Sequence, residues 1–142
     1  MSAIDIDTIH GDHLTKSAQQ PINYSKVNPI PAQYTDLKKV TLTTHLNKPV
    51  YLIINDTPRT IDASNGQLIT INQDYISRRA RNIYTQTGHI VSTTLLSTYP
   101  DELGGRAQPI WQVIFNDTYQ PTLYFSPQTG QFIKARSDLW RL

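Results

Sequence analysis

Apolar residues along this chain fall into short runs of strand length, and the main set of runs occurs twice. The first set reads Pro49-Val50-Tyr51-Leu52-Ile53-Ile54-Asn55-Asp56-Thr57, then Ile61-Asp62-Ala63-Ser64-Asn65-Gly66-Gln67-Leu68-Ile69. The second reads Pro109-Ile110-Trp111-Gln112-Val113-Ile114-Phe115-Asn116-Asp117-Thr118, then Leu123-Tyr124-Phe125-Ser126-Pro127-Gln128-Thr129-Gly130-Gln131-Phe132-Ile133. Both follow one order: proline, apolar run, Asn-Asp-Thr, second apolar stretch, Gly-Gln turn, two apolar residues. A repeat of this kind predicts one small β unit built twice. It also predicts that Tyr51 matches Trp111, Ile53 matches Val113, and Gly66 matches Gly130. Both of those glycines should hold positive φ in a hairpin turn.

Between the copies the period changes. Ile76, Ala80, Ile83 and Tyr84 recur at helical spacing, and Asn72 is placed to cap the first turn. Ile71 and Ile76 flank that cap as a staple. The expected helix covers about 73–86 and ends at Gly88, with Arg78, Arg81 and Asn82 facing water. Strands are expected at Lys38–Leu46, Pro49–Asn55, Arg59–Ala63, Gln67–Ile71, His89–Tyr99, Pro109–Phe115, Thr122–Ser126 and Gln131–Ala135. The fold class is therefore α+β: two pseudo-duplicated antiparallel β meanders with one main helix packed on the sheet. Residues 1–36, with Pro21, Pro29 and Pro31, read as an extended tether with a short turn of helix around Pro31-Ala32-Gln33-Tyr34. Residues 37–71 form the degenerate first repeat and 72–142 the complete second one.

Composition narrows the chemistry. The chain has 142 residues, a formal net charge of +2 and no cysteine. A thiolate metal site, a disulfide and a cysteine nucleophile are excluded. The small charge gives no electrostatic footprint for nucleic acid. No apolar stretch approaches the roughly 20 residues of a membrane helix. No nucleophile elbow, zinc-peptidase motif or phosphate-binding glycine loop is present, so the chain itself is expected to be non-enzymatic.

Two groups of residues are candidates for a site. Asp5, Asp7, His10, Asp12 and His13 crowd carboxylates and imidazoles near the start. They suit a metal centre at His10, Asp12 and His13, or equally an acidic solvated tether. Trp111, Tyr119, Tyr124, Tyr99 and Phe115 can either build the core or line a partner groove. Arg79 lies beside the apolar helix stripe, where it can meet a carboxylate. Alternation puts Trp111, Val113 and Phe115 on one face, and the core is expected to claim that aromatic set. Partner binding is assigned to Trp111, Tyr119, Tyr124 and Arg79.

The helix, the strand ending in Asn116-Asp117 and the run Leu123-Tyr124-Phe125-Ser126-Pro127-Gln128-Thr129-Gly130-Gln131 resemble the PepSY domain. That family shows an aromatic strand followed by (Asp or Ser)-Pro-x-Thr-Gly and an apolar pair. The resemblance covers 70–136, with 37–69 as a degenerate copy lacking a leading helix. His10-Gly11-Asp12-His13-Leu14 and Trp140-Arg141-Leu142 are similar to the junctions of PepSY proteins whose domain sits between two inner-membrane helices. The resemblance implies a periplasmic binding or regulatory module, flanked by membrane helices of the same chain. Its partner would be a protein or a ferric chelate, and a homodimer is also open. It equally admits an accessory domain of an electron-transfer membrane protein for iron uptake, with haem or iron held in those helices.

Overall fold

The computed structural model describes residues 21–84, 88–116, 118 and 120–137. Seven strands and one α-helix appear among them: β1 (Lys39–His45), β2 (Lys48–Ile54), β3 (Pro58–Asp62), α1 (Gln73–Ile83), β4 (Ile90–Leu96), β5 (Ile110–Phe115), β6 (Pro121–Phe125) and β7 (Phe132–Ser137). They form two antiparallel meanders, a three-stranded sheet β1-β2-β3 and a four-stranded sheet β4-β5-β6-β7. The class is α+β, as the periodicities predict.

The repeat survives in three dimensions. Tyr51 pairs with Leu42 and Ile61, as Trp111 pairs with Leu95 and Phe125. Leu52 faces Thr60 as Gln112 faces Tyr124, and Ile53 faces Arg59 as Val113 faces Leu123. The turns after β3 and β6 match bond for bond. Gly66 N donates to Asp62 O and Asp62 N to Gln67 O, while Gly130 N donates to Ser126 O and Ser126 N to Gln131 O. Side chains repeat the pattern: Asn65 Oδ1 accepts from Gln67 N, and Thr129 Oγ1 from Gln131 N. Gly66 and Gly130 hold φ of 76° and 74°, as the repeat requires.

The units differ in three places. The expected fourth strand of the first unit, Gln67–Ile71, shrinks to the single bridge Ile61↔Leu68 and one bond from Ile69 N to Thr60 O. The chain leaves the sheet there because Asn72 starts α1, its side chain accepting from Tyr75 N. The helix is also shorter than expected. It ends at Ile83, and Tyr84 turns extended to bury its ring against Phe115, 4.9 Å between centroids. Finally, β1 and β2 join through Leu46-Asn47, both at positive φ (54° and 64°), whereas residues 97–109 separate β4 from β5. Paired positive φ values match the twist of a tight hairpin.

Strand alternation gives each sheet two faces. In the second unit, Val113, Phe115, Leu123, Phe125 and Ala135 pack against Ile76, Ala80 and Ile83 of α1. The helical stripe and the aromatic strand face therefore meet as expected, with Trp111 packed at the margin and half-buried. The equivalent face of the first sheet buries Ile53 and Ile61. There the cover is the segment before β1 rather than a helix. Asn28 N donates to Ala63 O (2.8 Å), the Tyr51 hydroxyl donates to Asn28 O (2.7 Å), and Lys38 N donates to Ile54 O (2.7 Å). At Pro31–Tyr34 the expected turn of helix is only a hydrogen-bonded turn, Tyr34 N donating to Pro31 O, and the helical turn of this segment is a 3₁₀ turn at Tyr24–Lys26.

Core substitutions separate the two aromatic positions. Phe125→Ala is expected to cost about 3–5 kcal/mol in urea unfolding, and Trp111→Ala clearly less, because part of its ring is already in water. Gly130→Ala should destabilise as well. An L residue at that φ carries about 1–2 kcal/mol of strain, and the new Cβ would sit 2.8 Å from Tyr75 Cε2.

Candidate functional site

Two places concentrate polar side chains. The first is the seam between the units. The face of the first sheet that carries His45, Val50, Leu52 and Thr60 turns toward α1 and the β6–β7 turn. His45 Nδ1 shares a 3.0 Å hydrogen bond with the Tyr75 hydroxyl. The Thr60 hydroxyl donates to Thr129 O at 2.7 Å, and Arg79 Nε donates to Gly130 O at 3.0 Å. The Arg79 guanidinium lies 5.8 Å from the Phe125 ring centre. Arg79 thus meets a backbone carbonyl and an aromatic face where a carboxylate was open as its partner.

Burial governs the seam's electrostatics. Burial first, and the Arg79 charge second, hold the His45 imidazole down to about 3, so it is neutral at ordinary pH. Burial lowers Arg79 to about 10, leaving it charged, and burial raises the Tyr75 hydroxyl. The seam is a structural joint with every one of these groups engaged.

The second place is the face of β4–β7 opposite α1. Pairing sets Thr94, Gln112, Tyr124 and Lys134 in one row, and Ser92, Ile114, Thr122 and Arg136 in the next. Part of this face lies under the loop between β4 and β5. The loop closes on itself through Tyr99 N donating to Arg106 O (2.9 Å), with the Arg106 guanidinium 4.6 Å from the Tyr99 ring centre. It carries Glu102 onto the sheet. The Tyr124 hydroxyl donates to Glu102 Oε1 at 3.4 Å, and Arg136 Nη2 donates to Glu102 O at 2.8 Å. Arg136 Nη1 lies 3.9 Å from Glu102 Oε2. Gln112 Nε2 donates to the Tyr124 hydroxyl at 3.3 Å.

Beside the loop an open cleft of about 390 Å³ remains, lined by Glu102, Gln112, Ile114, Gln120, Thr122 and Tyr124 among others. Amides and hydroxyls share the lining with apolar side chains such as Val91 and Ile114, which suits polar ligands that also carry apolar groups. Arg136 Nε is buried at the loop's edge with no hydrogen-bond partner.

The residues named from sequence divide among these places. Tyr124 lines the cleft though its ring is buried. Arg79 sits in the seam, and Trp111 lies on the helix-facing side of the sheet, away from the cleft. Tyr119, and His10, Asp12 and His13, lie outside the described residues. Among the described residues no three His, Asp or Glu side chains gather as a metal would need, and no helix is long and apolar enough to cross a membrane. The sequence reading missed Glu102, Gln112, Thr122, Arg136 and His45. A polar Gln112 within the apolar run Ile110–Phe115 was the available signal for the open face. Compared with family models, with curated proteins and with solved structures, the chain matches none.

The depressed His45 value makes stability depend on pH. In the unfolded chain the imidazole titrates near its ordinary 6.5, while the folded value is about 3. Unfolded molecules therefore bind more protons between those limits. The stabilisation from keeping His45 neutral is complete above pH 6.5 and is lost as pH falls toward 3, by at most about 1.4 kcal/mol per unit. Urea midpoints measured from pH 7.5 down to 4 should fall for the native chain, and the fall should be shallower for His45→Gln.

Proposed function

We propose that the chain is a non-catalytic binding and regulatory module of the PepSY type, displayed on the periplasmic side of a membrane-anchored protein. Its partner docks on the face of β4–β7 that α1 leaves open. The cleft at Gln112, Thr122 and Tyr124 is the observation that carries this reading. The PepSY assignment itself draws on the run Tyr124-Phe125-Ser126-Pro127-Gln128-Thr129-Gly130 and on the helix before it.

The lining favours a polypeptide. A carboxamide such as Gln112 offers both donor and acceptor to a peptide bond, and the Thr122 hydroxyl does the same. Ile114 supplies the apolar contact that one side chain of such a ligand needs. Glu102, the one carboxylate among the described residues of the cleft, is held by Tyr124 and Arg136, which suits a fixed recognition group better than a group that shuttles protons.

Selection of displayed random peptides on the chain tests the assignment. Enriched peptides should bind the native chain, lose at least about tenfold in affinity with Gln112→Lys, and keep it with Arg81→Ala on the outer side of α1. Failure to enrich any peptide, or enrichment indifferent to Gln112→Lys, rejects the reading.

A further inference from the structure

The two units of this chain stack head to tail. Strand register makes the row Thr41-Leu52-Thr60 of the first sheet the equivalent of Thr94-Gln112-Tyr124 in the second. The first of these faces is occupied: the Ser126–Gln131 turn of the second unit reaches it, and Thr60 donates to the carbonyl of Thr129. Among the described residues no such turn covers the second of these faces. The element that would stand there, by the same operation, is a turn with the build of Ser126–Gln131. Among the described residues one other turn has this build, Asp62–Gln67, with the same internal hydrogen bonds and with Ser64, Asn65 and Gln67 exposed.

We infer that the open face of β4–β7 docks the Asp62–Gln67 turn of a second copy of this chain, continuing between molecules the packing that already joins the two units. This rests on the reading of that face as a binding surface and names its occupant. The chemistry of the two surfaces is complementary. The turn brings the Asp62 carboxylate and the Asn65 carbonyl, and the face presents Lys134, the Tyr124 hydroxyl and Arg136, whose Nε is buried without a partner. At the register position of Thr60 the second unit carries Tyr124, whose side chain also ends in a hydroxyl donor, farther out from the sheet, for the arriving carbonyl of Asn65, the counterpart of Thr129.

The loop at 97–109 is the regulator of this contact. The first unit has only Leu46-Asn47 at the same point and leaves its face clear for the neighbouring turn. The longer loop of the second unit lays Glu102 on Tyr124 and Arg136, so its carboxylate and carbonyl take the donors that an arriving turn would use. Because different surfaces meet, the association is heterologous and extends into chains of molecules unless a rotation closes it.

Sedimentation equilibrium on the full chain tests this. Replacing residues 99–107 by an Asn-Gly turn, or Glu102→Gln with the loop intact, should lower the concentration at which association begins by roughly tenfold or more, the scale of one charged hydrogen bond. In the loop-shortened background, Asn65→Lys or Gln112→Lys alone should each abolish assembly. Mixing those two variants should restore a dimer and nothing larger, since one intact turn then meets one intact face. A loop-shortened chain and a Glu102→Gln chain that both remain monomeric overturn the inference. So does association that survives both Asn65→Lys and Gln112→Lys, because the contact would then run through another surface such as the β1 edge. If the monomeric chain still binds selected peptides at Gln112, the occupant is a foreign segment and the face remains a binding surface.

Discussion

The hydrogen bond from Arg79 to the carbonyl of Gly130 ties this structure together. A guanidinium buried on the inner side of a helix requires acceptors within reach, because stripping its water without them costs several kcal/mol. The β6–β7 turn supplies one, and it can do so only while Gly130 keeps its positive φ close against Tyr75 and Ile71. The next carbonyl of the same turn, on Thr129, accepts from Thr60 in the other sheet. One turn thereby joins the helix, its own sheet and the neighbouring unit. Burial first, and then the charge that makes the joint, keep His45 neutral beside Tyr75.

Around that joint the chain solves one covering problem in two ways. Each sheet has a face rich in large apolar side chains that has to be kept from water. The second unit covers it with α1, whose Ile76, Ala80 and Ile83 lock against Val113 and Phe125. Among the described residues no α-helix precedes β1, and the segment 28–38 lies along this unit, tied to it by backbone hydrogen bonds at Asn28 and Lys38 and by the Tyr51 hydroxyl. Extended chain satisfies few of its own polar groups, which is why Asn28 is clasped by Ala63, Ser64 and Tyr51.

The opposite faces then decide what the molecule can bind. In the first unit that face is consumed by the joint. In the second it is left to a loop, and the loop fills it only in part, through Glu102. Beside that loop an open cleft over Gln112 and Thr122 remains.

Much of this was legible along the chain. Gly66 and Gly130 announced their turns, Asn72 its cap, and Ile76-Ala80-Ile83-Tyr84 the buried stripe, since turn geometry, capping and helical period depend on residues within a few positions of one another. The aromatic strand face was legible for the same reason. Tertiary packing decided the rest. Alternation states that a strand has two different faces, but it does not state what will lie on either one. That Tyr124 is buried on the wet side of its sheet, that Arg79 meets a carbonyl, and that His45 is neutral all follow from segments dozens of residues away. The same is true of the fourth strand of the first unit. Its local pattern was that of a strand, and the competing demand of Asn72 and the helix, realised only when α1 found its sheet, cut it to a single bridge.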